Sequence, residues 1–285
     1  MPNLKGKDIA VLIIFFNKIS ETIKCIDSFI PSAINIYVLN NGSDKRNWEI
    51  LKFQYGGNQS LIFIHSDENL GPSKGRNKLI EASNEDWLFF VDNDITIEPQ
   101  NDWLQILYDF IKDNTEAAII CPNLFNVHED EFVRHPKFFK SNNEIFVTEN
   151  YEGVTNYFPS GASIINRNVF MEHGLFDEKL FGFEDYEYAI RVLCSSEKQV
   201  VVFNLNTVIL RHDHKLQVFK IDKNAVKARY NVEKLKCSFK WIEEKHQIKF
   251  DHNWEWWSKK QVLDMTGKTI FQKVKKFLRN ICISE

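Results

Sequence analysis

Short, uninterrupted apolar runs constrain the possible folds of this chain more than any other feature. Residues 9–16 are continuously apolar and largely branched, which predicts a strand that is buried on both faces of a sheet. Residues 87–91 form a second run of this kind, and it stops at the polar sequence Asp92-Asn93-Asp94. Strands buried on both faces occur in parallel sheets that helices cover on either side, so helices are expected between the strands.

Segments with helical spacing alternate with the apolar runs. The predicted order is strand 9–16, helix 20–29, strand 34–39, helix 48–53, strand 61–65, helix 75–82, strand 87–91, helix 103–111 and strand 117–121. Residues 122–157 are expected to form a hairpin or a mobile loop, followed by strand 161–166, helix 186–194 and extended segments 200–203 and 208–210. This order predicts an α/β fold with a Rossmann-like, mostly parallel sheet, which binds ligands at the carboxyl ends of its strands.

Asp92 and Asp94 are the first candidate functional residues. Two carboxylates at positions i and i+2 of an extended segment point the same way, so they repel each other and are costly to bury. A divalent cation removes that penalty, and carboxylate oxygens suit Mg²⁺ or Mn²⁺, which also bind phosphate oxygens. The pair is therefore a candidate site for a metal-bound nucleotide diphosphate, although the pair taken alone favours a solvated turn.

Composition argues against several other classes of protein. The chain lacks a stretch of about 18 uninterrupted apolar residues, so no membrane span is expected. Its first apolar run lacks a small-residue cleavage site, so no signal peptide is expected. The five cysteines are scattered and none forms a Cys-x-x-Cys pair, which argues against a disulfide framework or a zinc cluster and favours a reducing cytosol.

Charge is distributed unevenly along the chain. Residues 1–214 carry 19 Lys and Arg against 31 Asp and Glu, a net charge of −12, which argues against nucleic acid as a partner. Residues 215–285 carry 17 against 8, a net charge of +9. This asymmetry predicts two parts, a body at 1–214 and a helical, basic C-terminal extension at 215–285.

The basic extension ends in an amphipathic segment. Residues 268–281 place six apolar side chains on one helical stripe and four basic residues on other faces. A cluster of three Trp lies beside two Lys at 254–260. Aromatic residues with Lys suit an anionic membrane surface, so the segment is expected either to contact a membrane or to dock on the body.

Polar motifs follow the predicted strands in a specific order. They are Phe16-Asn17, Asn40-Asn41-Gly42-Ser43, Asn69-Leu70-Gly71, Arg76-Asn77, Asp92-Asn93-Asp94, Ser160-Gly161-Ala162, Gly174-Leu175-Phe176-Asp177-Glu178, Glu184-Asp185 followed by Arg191, and a late His212. Each motif is common by itself. All of them in this order and at these spacings resemble the family 2 glycosyltransferases, which have the GT-A fold, and the resemblance extends over residues 9–214.

The resemblance implies an inverting, metal-dependent, hexosyl-type glycosyltransferase with Mn²⁺ or Mg²⁺ as its cofactor. Such an enzyme moves a sugar from a nucleotide-diphosphate donor, expected here to be of the UDP or dTDP type, to a hydroxyl group of a glycan or lipid-linked acceptor. It also implies a role in bacterial surface polysaccharide synthesis, in the cytoplasm or peripherally on the inner face of the cell membrane.

Two alternatives to a glycosyltransferase stay open. One is a sugar-phosphate nucleotidyltransferase, which would usually carry a Gly-rich, basic loop where this chain has Phe16-Asn17-Lys18. The other is an inactive carbohydrate-binding relative, against which the intact Asp92, Asp94 and Asp185 argue.

The resemblance also implies roles for the acidic motifs. Asp185 would be the general base that deprotonates the acceptor hydroxyl, with its ionised form favoured near the N-terminus of a helix. Glu184 would orient the site or bind acceptor hydroxyls. Asp94, with Asp92 beside it and His212 completing the coordination, would hold the metal ion.

The remaining roles concern the donor and its sugar. The residues implied for nucleotide binding are Phe16, Asn17, Asn41, Arg76 and Asp92, and those implied for sugar or acceptor contact are Gly161, Ala162 and Glu184. Phe16 would stack on the nucleobase, and Arg76 or Lys74 would approach a phosphate. The family usually has an acid in its second motif, so Asn40 and Asn41 are expected to alter recognition of the nucleobase.

Overall fold

A computed structural model describes residues 8–98, 102–148, 155–180, 182–194, 202–213 and 232–250. Its strands are β1 (Ile9–Phe15), β2 (Asn35–Asn41), β3 (Leu61–Ser66), β4 (Trp87–Asp92), β5 (Ile95–Ile97), β6 (Ile119–Asn126), β7 (Glu131–Phe132), β8 (Lys137–Ser141), β9 (Glu144–Thr148), β10 (Ala162–Asn166), β11 (Val202–His212) and β12 (Lys249–Phe250). Its helices are α1 (Ile19–Phe29), α2 (Lys45–Tyr55), α3 (Gly71–Ala82), α4 (Trp103–Asp113), α5 (Arg167–His173), α6 (Glu184–Cys194) and α7 (Val232–His246).

The main sheet combines a parallel half with a mixed half. Over the described ranges its order is β3–β2–β1–β4–β10–β6–β11–β5, and β7 pairs with β6. Strands β3, β2, β1 and β4 are parallel neighbours, as the alternation of strands and helices predicts. Strand β10 runs antiparallel between β4 and β6, and β11 runs parallel to β6 and antiparallel to β5. The predicted α/β fold with flanking helices is confirmed.

The parallel half brings three strand ends to one edge of the sheet. Strand β1 ends at Phe15, β2 at Asn41 and β4 at Asp92. In parallel sheets this carboxyl edge is where ligands bind. The polar motifs that follow these strands in the sequence therefore lie next to each other.

The mixed half delivers two more motifs to the same edge. Because β10 is antiparallel to β4, it begins where β4 ends, and the Asp92 N–H donates to the Gly161 carbonyl at 2.8 Å. Strand β11 ends where β5 begins, and His212 is paired there with Ile95, next to Asp94.

Helices cover both faces of the sheet because successive side chains of a buried strand point to opposite sides. In β1, Ile9, Val11 and Ile13 pack in a cluster with side chains of α1, α2 and α4. Ala10 and Leu12 pack in a second cluster with side chains of α3, α5 and α6. The continuous apolar run at 9–16 therefore corresponds to two alternating apolar faces.

A small second sheet covers one end of α6. Strands β8 and β9 form a hairpin, and β12 adds to it in parallel beside β9. Together with α7 this sheet packs on α6 in a third apolar cluster that contains Phe138, Tyr157, Tyr186 and Phe239. Of the two expectations for residues 122–157, the described part shows the hairpin.

The C-terminal extension is described only at 232–250, and this part packs on the body. The tryptophan cluster at 254–260 and the amphipathic segment at 268–281 lie outside the described residues. Among the helices in the described ranges, none has the length and apolarity that a membrane span requires.

Several elements differ in extent from the predicted ones, including α3, α6 and β11. Helix α3 begins at Gly71 rather than at residue 75, with Pro72 in its first turn, a position that suits the fixed φ of proline. Helix α6 begins at Glu184 rather than at residue 186. Strand β11 is continuous where two segments were predicted. The sequence suggests two segments because a register shift between Leu205 and Ile209 interrupts the alternation of side chains along the strand.

Candidate active site

A buried arginine lies at the centre of the candidate site. Arg76, on α3, is 5% exposed. Its Nε donates to the Ser160 carbonyl at 2.9 Å, Nη1 to Glu184 Oε1 at 2.6 Å and Nη2 to Asp92 Oδ1 at 3.1 Å. Four motifs that are far apart in the sequence therefore meet around one side chain.

The sequence predicts that Arg76 approaches a phosphate and that Glu184 orients the site or binds acceptor hydroxyls. In the structure these two side chains are bonded to each other. The Arg76 guanidinium lies between two carboxylates, and Glu184 Oε1 accepts from the Ser160 hydroxyl, at 3.1 Å, as well as from Arg76. Charge-assisted hydrogen bonds of a planar guanidinium fix direction as well as distance. Arg76 therefore sets the relative position of Asp92 and Glu184.

Gly161 allows β10 to begin directly beside the Asp92 carboxylate. A Cβ atom at residue 161 would lie 2.2 Å from Asp92 Cγ, a distance at which atoms overlap. A larger residue would displace Asp92 from the strand end. Ala162 is 1% exposed and packs in the core, so the Gly161 backbone rather than the Ala162 side chain borders the site.

Asp94 follows β4 and is almost buried, with a side chain that is 8% exposed. Its Oδ2 accepts from Lys18 Nζ at 2.7 Å, and its Oδ1 lies 3.5 Å from His212 Nε2. Asn17 adopts a left-handed φ of 59°, which turns the chain from β1 into α1 just before Lys18. The turn and the two strand ends thus bring Lys18, Asp94 and His212 together.

Asp94 and His212 are two side chains near the end of β4 that could supply ligand atoms to a divalent ion. In the ranges that the structure describes, no group of three or more His, Cys, Asp and Glu side chains is already arranged around a common point. Two ligand atoms of one Mg²⁺ ion lie about 3 Å apart, given metal–oxygen distances of about 2.1 Å. The 3.5 Å between Asp94 Oδ1 and His212 Nε2 is close to that spacing. Carboxylate and imidazole also suit Mn²⁺, so the donor atoms of Asp94 and His212 fit such an ion, whereas Asp92 Oδ1 accepts from Arg76.

Asp185 lies in the first turn of α6 and is half-buried. Its Oδ2 accepts from the Tyr157 hydroxyl at 2.5 Å, and its Oδ1 accepts from the Tyr186 N–H at 2.9 Å. Burial, followed by the negative charge of Glu184, raises the pKa of Asp185 to about 7, although the Tyr157 hydrogen bond opposes the rise. A carboxylate that titrates near neutral pH is suited to accept a proton in a reaction.

The asparagines at the end of β2 hold the surrounding loops. Asn40 Oδ1 accepts from the Ser43 N–H at 3.0 Å. Asn41 Oδ1 accepts from the Leu70 N–H at 2.9 Å, and its Nδ2 donates to Asn69 Oδ1 at 3.2 Å. Both side chains are buried, so their amides already contact the protein.

The two residues of the Phe16-Asn17 motif have different surroundings. Phe16 is half-buried at the end of β1. Asn17 Oδ1 accepts from the Asp44 N–H at 2.7 Å, and the Asn17 N–H donates to Ser43 Oγ at 3.1 Å. Asn17 therefore ties the start of α1 to the loop after β2, whereas Phe16 lies at the carboxyl edge beside it.

The Gly-x-Phe-Asp-Glu motif holds helices together. Asn77, on α3, donates to the Phe176 carbonyl at 2.9 Å and accepts from the Phe176 N–H at 3.0 Å. Asp177 Oδ2 accepts from Trp241 and Lys245 of α7, at 2.9 and 2.7 Å. These contacts link α3, the segment before α6, and α7.

Two residues of the site have no role in the sequence prediction. Lys18 directly follows the Phe16-Asn17 motif, so its position in the sequence could have identified it as a residue of the site. Tyr157 lies in a polar stretch, and its contact with Asp185 depends on an aromatic cluster with Phe138 and Tyr186. Nothing in the local sequence around Tyr157 indicates that cluster.

Comparison with known proteins places these motifs in a family. The family model described as "Glycosyl transferase family 2" matches residues 10–174, more than half of the chain. The chain belongs to glycosyl transferase family 2. The matched range of this family 2 member contains Asp92, Asp94 and Gly161 and ends before Asp185 and His212.

Relatives and solved structures agree with this assignment. The glucosyl-dolichyl phosphate glucuronosyltransferase of Haloferax volcanii is 26% identical over 169 residues, which cover 57% of this chain and 52% of that protein. S. aureus TarS 1-349 in complex with UDP is 14% identical, with a TM-score of 0.54, and the match covers 72% of this chain and 60% of TarS. GalNAc-T7 with UDP, GalNAc and Mn²⁺ is 14% identical, with a TM-score of 0.59, and the match covers 93% of this chain and 58% of GalNAc-T7.

The chain is shorter than the proteins it matches. This family 2 chain spans 52%, 60% and 58% of the lengths of the three proteins. At 14% identity, the two solved structures show a shared fold, the GT-A fold of glycosyltransferases.

Proposed function

We propose that this chain transfers a hexosyl-type sugar, with inversion, from a nucleotide-diphosphate donor to a hydroxyl group of a glycan or lipid-linked acceptor. The observation that carries the proposal is the Arg76 link between Asp92 and Glu184. This link joins the Asp-x-Asp motif at the end of β4 to the Glu-Asp motif at the start of α6. The guanidinium of Arg76 therefore contacts both the proposed donor side and the proposed acceptor side of the site. Membership of the family supports glycosyl transfer over nucleotidyl transfer.

The proposed base is Asp185. Its carboxylate takes the proton of the acceptor hydroxyl, and the resulting oxygen attacks the anomeric carbon on the side opposite the leaving diphosphate. A single displacement of this kind inverts the anomeric centre and requires no second nucleophile. The pKa of Asp185, raised to about 7, supports the role because a general base works best near the operating pH.

The proposed donor site lies at Phe16, Asp92 and Asp94. Asp94 and His212, with Asp92, would hold Mn²⁺ or Mg²⁺, which when bound supplies positive charge to the leaving diphosphate. UDP in the TarS structure, and UDP with Mn²⁺ in the GalNAc-T7 structure, support a donor of the UDP type and a divalent ion. The dTDP type remains the second donor class for the experiment below.

The acceptor proposal rests on a relative and on the basic extension. The Haloferax volcanii relative is described as acting on glucosyl-dolichyl phosphate, which supports a lipid-linked acceptor. The net charge of +9 in residues 215–285 supports a peripheral location on the inner face of the cell membrane. Surface polysaccharide synthesis is the proposed setting.

A transfer assay tests the proposal. The purified chain is incubated with UDP and dTDP sugars, glycan and lipid-linked acceptors, and Mn²⁺ or EDTA, and the products are analysed by mass spectrometry. We expect release of a nucleoside diphosphate in step with glycosylation, with Mn²⁺ only. A parallel reaction supplies UTP or dTTP and a sugar 1-phosphate instead of the nucleotide-diphosphate sugar, and release of pyrophosphate there would identify a nucleotidyltransferase.

Asp185→Asn tests the base. Since Asn cannot take up the proton, we expect turnover to fall by about 10²- to 10⁴-fold with donor affinity retained. Asp109→Asn, which changes an exposed carboxylate on α4, is the matched control and should leave turnover unchanged. Wild-type turnover in Asp185→Asn would show that Asp185 serves only the helix.

A further inference from the structure

Both carboxylates of the Asp-x-Asp motif are paired with a protein cation, but the two pairs are built differently. The guanidinium of Arg76 is buried, and two further acceptors hold it in addition to Asp92. Lys18 reaches Asp94 with a side chain that is 40% exposed and an Nζ–Oδ2 distance of 2.7 Å. Arg76 is therefore a fixed partner of Asp92, whereas the ammonium of Lys18 lies on a long, flexible and partly solvated stem.

A divalent ion and Lys18 compete for the same carboxylate. Asp94 is 8% exposed, so its charge needs a cationic neighbour at all times. Lys18 contacts Oδ2, and His212 lies 3.5 Å from Oδ1. An ion that binds both Asp94 and His212 would bring a double positive charge next to the Lys18 ammonium, and the two cations would repel each other.

We propose that Lys18 is an exchangeable counter-ion of Asp94. Without donor, its ammonium neutralises Asp94; when the divalent ion binds Asp94, the ammonium turns to the diphosphate of the donor. This inference rests on the proposed function, which supplies both the ion and the diphosphate. The backbone of Lys18 stays in place during the exchange, because its carbonyl accepts from Thr22 N and Thr22 Oγ1 at 2.9 and 2.7 Å.

The exchange couples the binding of the divalent ion to the binding of the nucleotide. An ion that binds without nucleotide must displace an ammonium from a nearly buried carboxylate. With nucleotide present, the displaced ammonium gains charge-assisted hydrogen bonds to a diphosphate. Each ligand therefore raises the affinity for the other, and by linkage the two factors are equal.

Isothermal titration calorimetry of Lys18→Met tests the proposal. Met keeps most of the side-chain length and removes the charge. We expect Mn²⁺ alone to bind on the order of tenfold more tightly than to the wild type, because its competitor is gone. We expect UDP in the presence of Mn²⁺ to bind on the order of tenfold more weakly, because the diphosphate has lost an ammonium.

The control is Lys24→Met, which removes the same charge from α1, the helix that begins directly after Lys18, beside a cavity that Lys24 and Asp94 both line. It should leave both dissociation constants within about twofold of the wild type, since exposed charges are screened. Lys18→Arg keeps the charge, so the dissociation constants of Mn²⁺ alone and of UDP with Mn²⁺ should stay close to those of the wild type. Lys18→Gln repeats the test if Lys18→Met does not fold, and thermal melting establishes that each variant is folded.

Opposite movement of the two dissociation constants supports the exchange, because a structural defect would weaken both ligands. Weakening of both, or no change in either, would overturn it. If the wild type binds UDP equally well with Mn²⁺ and with EDTA, the metal-dependent function itself fails, and the inference fails with it.

Discussion

Opposing influences act on the carboxylate of Asp185. Burial is the largest of them and raises its pKa to about 7, with the charge of Glu184 acting in the same direction. The Tyr157 hydroxyl donates to the ionised form and opposes the rise. Asp185 therefore changes its ionisation close to neutral pH, where the balance between base strength and ionised fraction is best.

The pH dependence of transfer should report this pKa. Only ionised Asp185 can accept a proton, so kcat/KM should fall about tenfold per pH unit below pH 7 and level off above it. Initial rates from pH 5 to 9, at a fixed Mn²⁺ concentration, measure the profile. A rate that stays constant from pH 5 to 8 would contradict Asp185 as the base.

Tyr157→Phe should shift that profile without abolishing transfer. Removing a hydrogen bond to the ionised carboxylate favours the protonated form, so the midpoint should move upward by roughly one pH unit. Tyr55→Phe is the matched control, because the Tyr55 hydroxyl donates to Asp27 in another part of the molecule. If Tyr157→Phe lowers the rate equally at every pH, Tyr157 only supports the local structure.

At the residue scale, the sequence predicts which side chains are candidates for the chemistry better than it predicts which side chains contact each other. Asp92 and Asp94 could be singled out because two carboxylates two positions apart at the end of a predicted strand have a direct electrostatic meaning, although Asp94 lies in the turn after β4. The contact of Lys18 with Asp94 spans 76 positions and depends on the turn at Asn17. Asn41 was assigned to the donor nucleotide, and its bonds to the loop after β3 could be known only from the fold.

At the scale of elements, Glu187 joins α6 to α7. Its side chain is fully buried and lies 2.5 Å from Arg191 Nη2, 2.9 Å from Lys245 Nζ and 2.9 Å from His246 Nε2. Burial alone would raise the pKa of Glu187, but the bonds from His246, Arg191 and Lys245 outweigh it and lower the pKa to about 2. The ionised form is therefore the one that stabilises the contact between the helices.

Glu187→Gln should destabilise the protein. It removes the buried carboxylate that pairs with Arg191 and Lys245 and contacts His246, which should lower the free energy of unfolding by about 3 kcal/mol at pH 7. Because the folded pKa is below the unfolded value, the difference from wild type should persist above pH 4.5 and shrink as the pH falls towards 2. Denaturant unfolding at pH 7 and pH 3 measures both parts.

The matched control for this change is Glu244→Gln, also on the α6–α7 side of the molecule. Glu244 lies on α7 and pairs with Lys240 at 3.6 Å on the surface. Exposed pairs contribute about 0.5 kcal/mol, so little change is expected. Equal stability of Glu187→Gln and wild type at pH 7 would contradict the role of Glu187.

Elements with a clear period could be predicted, and those made by distant pairing could not. The buried strands β1 and β4 follow from continuous apolar runs, because burial on both faces requires them. Strand β12 has two residues and exists because Lys249 pairs with Glu144 of the hairpin. No local pattern in such a short segment predicts a strand.

At the scale of the whole molecule, the charge separation predicts membrane contact through the last segment. Truncation before Lys268 keeps α7 and β12 and removes the apolar stripe together with the basic residues beside it. Each basic residue near an anionic surface contributes about 1 kcal/mol, so sedimentation with anionic liposomes should decrease, and high salt should imitate part of the loss. Transfer to a soluble acceptor analogue should stay within about twofold of the full chain, because the segment takes no part in the chemistry. An unfolded truncated protein would mean that the segment packs on the body.

The pairing of β12 with β9 has a consequence for biosynthesis. Lys249 is added 105 positions after its partner Glu144, so the hairpin emerges from the ribosome long before its third strand. At roughly 5 to 20 residues per second, that interval is roughly 5 to 20 seconds. The strand ends of the proposed donor site can assemble in the nascent chain, whereas the apolar cluster of Tyr157, Tyr186 and Phe239 beside Asp185 must wait for α7. Proteolysis of ribosome-stalled chains should therefore show protection of β1–β4 first, and newly made molecules should bind nucleotide before they can turn it over.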